Sequence, residues 1–211
     1  MKNDTKSIED IKIIRRIMEE SSRFLSLSGL AGLFAGITAV AGALVAYFVI
    51  LQNGNIKYAD NLMSMSEQNA RVVRWELLAD ALIVLIISVM VTLYFSIKKA
   101  KKEGKNFMTP ISKRLLINFL IPLVTGGIFA VVLITQNNIQ LIIPCFLIFY
   151  GLALVNAGKF TFGEIFYLGV LELVIGLVSA FIPAWGLIFW ILGFGLLHII
   201  YGLAMYRKYE A

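Results

Sequence analysis

The sequence predicts an all-α fold, an integral membrane bundle of six transmembrane helices preceded by a cytoplasmic amphipathic helix. Of the 211 residues, 59% are hydrophobic and only 15% are charged, whereas about a quarter of the residues in soluble domains are charged. The charges are concentrated between long apolar stretches. These stretches are continuous and lack the alternating pattern of barrel strands, which excludes a membrane β-barrel.

The apolar stretches are long enough to cross the hydrocarbon core of a bilayer, which takes about 20 helical residues. The longest, at 165–206, would form a helix of about 63 Å, so it must fold back. Pro183-Ala184-Trp185-Gly186 is the predicted turn. The predicted spans are 30–51, 77–97, 115–135, 139–157, 165–184 and 185–206. They make up a transmembrane domain at 30–206, between an N-terminal segment at 1–29 and a tail at 207–211.

The distribution of basic residues predicts the orientation of these spans. Sixteen of the 19 Lys and Arg residues lie at 1–29, at 98–114, at Lys159 and at 207–211, and the segment 52–76 contains the rest. This bias predicts that both termini are cytoplasmic, and we expect the inner membrane of a bacterium. Topology thereby accounts for the net charge of +6, and no nucleic-acid partner is predicted.

The segment 7–25 predicts an amphipathic helix before the first span. Ile8, Ile11, Ile14 and Met18 recur at helical spacing, while Glu, Lys and Arg occupy the other face. Such a helix would lie on membrane lipid or dock onto a helix of a protein partner. Both alternatives remain open from the sequence.

Small residues four positions apart mark a packing face on the first span. Ala35 and Ala39 belong to one ridge, and Gly32 and Gly36 to the neighbouring one. Such ridges let two helix backbones approach closely in lipid. The partner would be another span of this chain or a second copy in a homo-oligomer, and a six-helix bundle favours the former.

The junction into the first span reads RFLSLSGLAGLFAGITAVAGA. It resembles small bacterial polytopic membrane proteins of uncharacterised function. The resemblance covers about the first fifth of the chain, depends on Ser, Gly and Ala packing positions, and implies no activity.

Two short repeats suggest a duplicated helical hairpin. Leu123-Val124-Thr125-Gly126 is echoed by Leu173-Val174-Ile175-Gly176, and Tyr150-Gly151-Leu152-Ala153 recurs as Tyr201-Gly202-Leu203-Ala204. A duplication would relate the two hairpins by an axis along the membrane normal. Chance matches in a Leu- and Gly-rich background are the alternative.

Glu172 and His198 are the ionisable residues of the last two spans. Each is predicted about 10–12 Å from the cytoplasmic end of its helix, and the two helices are antiparallel neighbours. Glu172 lies between Gly169 and Gly176, and His198 lies at the same spacing between Gly195 and Gly202. Because an unpaired charge in hydrocarbon costs several kcal/mol, we expect the two side chains to pair.

Three roles are compatible with such a pair. The favoured one is a buried polar clamp that determines helix register. The second is a proton-binding site in a transport or sensing cycle. Acid–base catalysis by an intramembrane enzyme is the third and least favoured.

Two further groups are weaker candidates. Asn118 and Asn156 would form interhelical hydrogen bonds or line an inward-facing cavity, and Tyr150 and Tyr201 are further candidates for the lining of that cavity. A second group lies near the outer end of the second span, where snorkelling at the interface is the favoured interpretation. It comprises Arg71, Arg74, Glu76 and Asp80.

Several motifs are absent from the sequence. It contains no P-loop, no HExxH and no GxSxG, and one His with one Cys is too few for a usual zinc site. No metal or cofactor is therefore predicted. The favoured function is a non-enzymatic, membrane-embedded interaction or regulatory protein. The alternative is a small proton-linked transporter or channel that uses Glu172 and His198.

Overall fold

The computed structural model describes residues 24–51, 62 and 65–211. Within this part of the chain, six helices are long and apolar enough to cross a membrane, and no residue is in a strand. The predicted all-α, six-helix membrane fold is confirmed. The helices are α1 (Gly29–Ile50), α2 (Glu67–Lys102), α3 (Pro110–Thr135), α4 (Ile139–Gly158), α5 (Gly163–Phe181) and α6 (Pro183–Tyr209).

Local sequence signals account for several helix ends. Thr109 caps α3 through a capping box with Ser112, and Pro110 occupies the first turn, where its missing N–H is not needed. Ser66 caps α2 by accepting a hydrogen bond from the Asn69 backbone N–H. Because its charged ends stay helical, α2 is longer than its predicted span, at about 54 Å.

Two helices contain π-helical segments. Helix α1 is an α-helix over Gly29–Val45 and a π-helix over Ala46–Ile50. Helix α6 begins as a 3₁₀ turn at the predicted Pro183 fold-back and contains a π-helix over Ile191–Leu197. Segments of this kind are rare and are frequently found at functional sites.

Glycines mediate the contact between α1 and α6. A Cβ added to Gly36 would lie 2.6 Å from the Gly195 carbonyl oxygen, and one on Gly32 would lie 3.2 Å from the Gly202 Cα. The two backbones are therefore in direct contact, as small-residue ridges allow. Ala39 is buried and Ala35 is half-buried. The partner of the glycine ridge is thus a span of the same chain.

A second glycine-mediated pair is formed by α4 and α5. Added Cβ atoms on Gly151 and Gly169 would each lie 2.8 Å from the carbonyl oxygen of the other residue. Helix α3 packs on the outside of α4, and α2 packs on the outside of α1. Gly151 and Gly202, from the two Tyr-Gly-Leu-Ala copies, thus occupy comparable antiparallel contacts. The duplication itself stays a prediction.

Residues 24–28 are not helical and cross one end of the bundle, called here the terminal end. The Phe24 N–H donates to the Phe160 carbonyl at 2.7 Å, and the Thr161 hydroxyl donates to the Phe24 carbonyl at 2.6 Å. The prediction of helix at 24–25 is wrong, because these residues form the extended crossing, and the rest of the predicted amphipathic helix, 7–23, lies outside the described residues.

Candidate functional site

Glu172 lies on the buried face of α5. This face repeats at helical spacing and comprises Leu168, Gly169, Glu172, Gly176 and Ser179. No part of the Glu172 side chain is exposed. Neither carboxylate oxygen has a hydrogen-bond partner among the described residues. The carboxylate is therefore removed from solvent without hydrogen bonds that would offset its desolvation, which is costly in an apolar interior.

His198 on α6 supplies the nearest basic group to this carboxylate. Its Nδ1 atom lies 3.3 Å from Glu172 Oε1, and its side chain is 8% exposed. The same Nδ1 lies 3.2 Å from the Gly193 carbonyl oxygen, and it is this contact that has hydrogen-bond geometry. The structure thus brings together the two residues that the sequence singled out.

Tyr150 on α4 contacts the other side of the imidazole, with its hydroxyl 2.9 Å from His198 Nε2. Both neighbours of Nδ1 are acceptors, so we assign the hydrogen to Nδ1. In a neutral imidazole Nε2 then accepts from the Tyr150 hydroxyl, and in an imidazolium Nε2 donates to it. His198 thereby links α4, α5 and α6 in either state.

The π-helix in α6 sets this geometry. In an α-helix, residues five apart point about 140° away from each other, so Gly193 and His198 would not share a face. A π-helix closes its hydrogen bonds between residues five apart, which stacks Gly193 beneath His198. The Gly193 carbonyl then meets the imidazole, and the missing side chain leaves room for the Glu172 carboxylate.

Aromatic rings surround the imidazole. The Tyr150 ring lies 5.2 Å from Phe194 and 5.9 Å from Phe119, measured between centroids. Phe194 continues the contact to Trp190 at 4.7 Å. These rings, from α3, α4 and α6, give an apolar environment to the polar triad of Glu172, His198 and Tyr150.

The glycines beside the two ionisable residues do not face each other. Gly169 and Gly176 on α5 contact α4, whereas Gly195 and Gly202 on α6 contact α1. The close approach of α6 to Glu172 on α5 occurs instead at Gly193, a residue that the sequence did not indicate. Helical periodicity could not identify it, because the π-helix changes the spacing that brings residues onto one face.

The other predicted cavity-lining residues lie apart from the triad. Asn118 donates to the Arg114 carbonyl of its own helix at 2.9 Å, and Asn156 accepts from Lys159 at 3.1 Å. Each of these two amides thus has a partner within four residues along the chain, and neither forms an interhelical bond with another described residue. Tyr201 is half-buried and has no hydrogen bond to the described residues.

Within the described residues, no ion pair joins the members of the predicted outer cluster to one another. Arg71 lies 3.7 Å from Glu67, and both side chains are largely exposed. Arg74 donates to Asn137 at 3.0 Å. Glu76 is exposed, and Asp80 is half-buried.

A second polar centre at the terminal end was not anticipated from the sequence. Glu210 accepts from the Gly29 backbone N–H at 2.6 Å and from the Ser28 hydroxyl at 2.9 Å. It also lies 3.3 Å from Lys99 Nζ, which donates to the Leu27 carbonyl. This carboxylate therefore occupies the N-terminus of α1, where the helix dipole favours an anion. The pairing joins residues 181 positions apart, so local patterns carry no signal for it.

Among the described residues, no group of three or more His, Cys, Asp or Glu side chains is positioned to hold a metal. Comparisons with protein-family models, with curated proteins and with solved structures give no match. The geometry of the triad is therefore the basis for the functional interpretation.

Proposed function

We propose that this chain is a non-enzymatic membrane protein of the interaction or regulatory class, in which Glu172, His198 and Tyr150 act as an internal clamp. The observation that supports this proposal is the burial of the pair. As whole residues, Glu172 is 0% exposed and His198 is 6% exposed. A transport site must be reached in turn from both sides of the membrane, and this pair is enclosed by side chains.

The contacts of His198 are those expected of a clamp. One ring nitrogen contacts α5 and the other contacts α4, while the imidazole itself belongs to α6. Interhelical polar contacts in membranes contribute about 0.6–1.7 kcal/mol each. The Tyr150–His198 hydrogen bond and the close Glu172–His198 contact would together help to fix the register of three helices. At the terminal end, α5 and α6 are also joined by Glu164, which accepts from Lys208 and Tyr209.

The proposed orientation has both termini in the cytoplasm of a bacterial cell. The terminal end, which includes Lys99, Lys159 and Lys208, would then face the cytoplasm, in keeping with the positive-inside rule. The basic N-terminal segment would be the contact for a partner on that side.

The clamp is tested in proteoliposomes that contain a pH-sensitive dye. An imposed pH gradient should collapse no faster than in protein-free vesicles, and Glu172→Gln should leave that rate unchanged. Glu172→Gln and His198→Gln should each lower stability in detergent, and the double variant should cost less than the sum of the two. Additive losses would reject a direct clamp.

One observation favours the alternative, a proton-linked transporter. Both carboxylate oxygens of Glu172 are buried without a hydrogen-bond partner among the described residues. Such a carboxylate is able to bind a proton or to accept a hydrogen bond from a ligand. The vesicle experiment separates the two functions. Proton flux above the protein-free rate that is lost in a well-folded Glu172→Gln variant would establish transport and overturn the proposal.

The interaction class has its own test. The intact protein would be cross-linked in native membranes and purified, and the recovery of each cross-linked protein would be quantified. A matched variant replaces Ile8, Ile11 and Ile14 with Ser. We expect one or more proteins to be recovered with the native chain and lost with the variant. Equal recovery from both would reject the N-terminal segment as the contact.

A further inference from the structure

An apolar cavity of about 80 Å³ lies at the end of the bundle opposite the terminal end. Its walls come from α1, α2, α3, α4 and α6. They include Ala46, Ala81, Ile142, Phe146, Leu187 and Trp190. A single water needs only about 10–15 Å³ by this kind of measure, and apolar cavities tend to stay dry and take up apolar molecules. The cavity is thus suited to a hydrocarbon group.

The cavity is bordered by the outer helices of the bundle rather than by the triad. Helices α2 and α3 stand on either side of it and make hardly any contact with each other in the described residues. The outward faces of both helices are apolar and exposed. None of Glu172, His198 and Tyr150 lines the cavity. A chain from the surrounding bilayer would enter sideways between α2 and α3.

Arg74 supplies a polar group to the lining of this cavity. Its Nη1 donates to Asn137 on the α3–α4 connection, while its Nε is buried and lacks a hydrogen-bond partner among the described residues. Arg74 directly precedes Trp75, which is 66% exposed, and both come just before the apolar run of α2. Exposed Trp residues at such positions mark the headgroup level of a bilayer.

Asp80 also lines the cavity, about 9 Å further along the helix axis than Arg74. Its carboxylate would repel an anion placed deep among the apolar walls. An anionic group is therefore restricted to the level of Arg74, with the hydrocarbon below it. The guanidinium thus lies at the level where a lipid carries its phosphate, and the carboxylate disfavours an anionic group further in.

We propose that this cavity binds one acyl chain of an anionic phospholipid, whose phosphate pairs with Arg74. Guanidinium groups bind phosphate oxygens through charge-assisted hydrogen bonds, and Arg74 has N–H donors besides the one that bonds Asn137. The bilayer supplies both parts of the ligand at the required depths. The site is independent of the clamp.

Quenching of Trp190 fluorescence by lipids with brominated acyl chains tests the site, because Trp190 lines the cavity. Trp75 and Trp185 would be replaced by Phe so that Trp190 alone reports. Phosphatidylglycerol and phosphatidylcholine with identical brominated chains would be titrated into the full-length protein in detergent. We expect phosphatidylglycerol to quench at a concentration roughly 5–10-fold lower, the effect of a charge-assisted contact.

Two variants and one control test the assignment of residues. Arg74→Gln should remove the preference for phosphatidylglycerol, whereas Arg71→Gln, on the same helix but paired with Glu67, should retain it. Ala81→Phe should abolish quenching by filling the cavity. A preference that survives Arg74→Gln, quenching that survives Ala81→Phe, or equal quenching by both lipids in the native protein would overturn the proposal. Tighter binding of a brominated free fatty acid than of phosphatidylglycerol would overturn the phospholipid as occupant.

Discussion

Gly193 is in close contact with the Glu172 carboxylate. A Cβ on Gly193 would lie 2.6 Å from Glu172 Oε2 and 2.5 Å from Leu147 Cδ2. Leu147 and Glu172 are both fully buried, so either side chain would have to be displaced within the packed interior. The absence of a side chain at position 193 is thus a condition for placing the carboxylate beside His198.

Gly193→Ala should destabilise the protein by about 1–3 kcal/mol, because overpacking displaces the carboxylate or Leu147. The measurement is unfolding in detergent with a chemical denaturant. Gly127→Ala is the matched control, since a Cβ there would meet nothing within 4 Å. In that helix Ala should be neutral or stabilising by about 0.5–1 kcal/mol. Equal losses in the two variants would contradict the packing explanation.

Tyr150→Phe removes the hydroxyl that contacts His198 Nε2 and keeps the ring in its aromatic contacts. We expect a loss of about 0.6–1.7 kcal/mol in unfolding free energy. Tyr201→Phe, at the corresponding position of the repeat, should cost nothing measurable, because Tyr201 has no hydrogen bond to the described residues. A Tyr150→Phe protein as stable as the native one would show that this bond does not contribute to the clamp.

Glu210→Gln should release the start of α1 and leave Lys99 buried without its counter-ion. We expect a loss on the order of 2 kcal/mol, together with faster hydrogen exchange at the Gly29 amide. Glu103→Gln is the control, since Glu103 pairs with Lys105 in a solvent-exposed position and such pairs are worth about 0.2–1 kcal/mol. If exchange at Gly29 were unchanged in Glu210→Gln, the capping role would be wrong.

Gly202→Ala should separate α6 from α1. The added Cβ would collide with the Leu33 backbone nitrogen and lie 2.8 Å from the Gly29 carbonyl oxygen, and backbone atoms cannot move aside cheaply. The loss should reach about 1–3 kcal/mol in the denaturant assay. Gly163→Ala, where a Cβ meets nothing within 4 Å, controls for the substitution itself. A neutral Gly202→Ala would mean that the two helices do not pack this closely.

The prediction of the six spans succeeded because it depends on local quantities. A stretch such as 165–206 is apolar whatever surrounds it, and its length with Pro183 requires a fold-back near that residue. Helix α2 exceeds its predicted span because an apolar count cannot detect helix that continues through charged residues. Its first helical residue, Glu67, lies ten residues before the predicted span begins.

The candidate site could be predicted only in part. Glu172 and His198 were identifiable, because ionisable groups are rare in apolar helices and seek partners there. Gly193 was not identifiable, because the α-helical period that relates sequence position to a face does not hold within Ile191–Leu197. Tyr150 was assigned to a cavity wall, and its contact with His198 depends on how α4 packs against α6.

The sequence by itself determined that this chain is a six-helix membrane protein and which two ionisable residues its last spans contain. Apolar length and charge spacing can be read from consecutive residues. Each segment that crosses the hydrocarbon must also satisfy its own backbone hydrogen bonds, which a helix does without a partner. Only the tertiary structure decided that the carboxylate of Glu172 lies against Gly193, that Tyr150 is the third member of the clamp, and that Glu210 caps α1. These contacts join residues that lie far apart in sequence or cross a π-helical turn, and they exist only once the helices are packed.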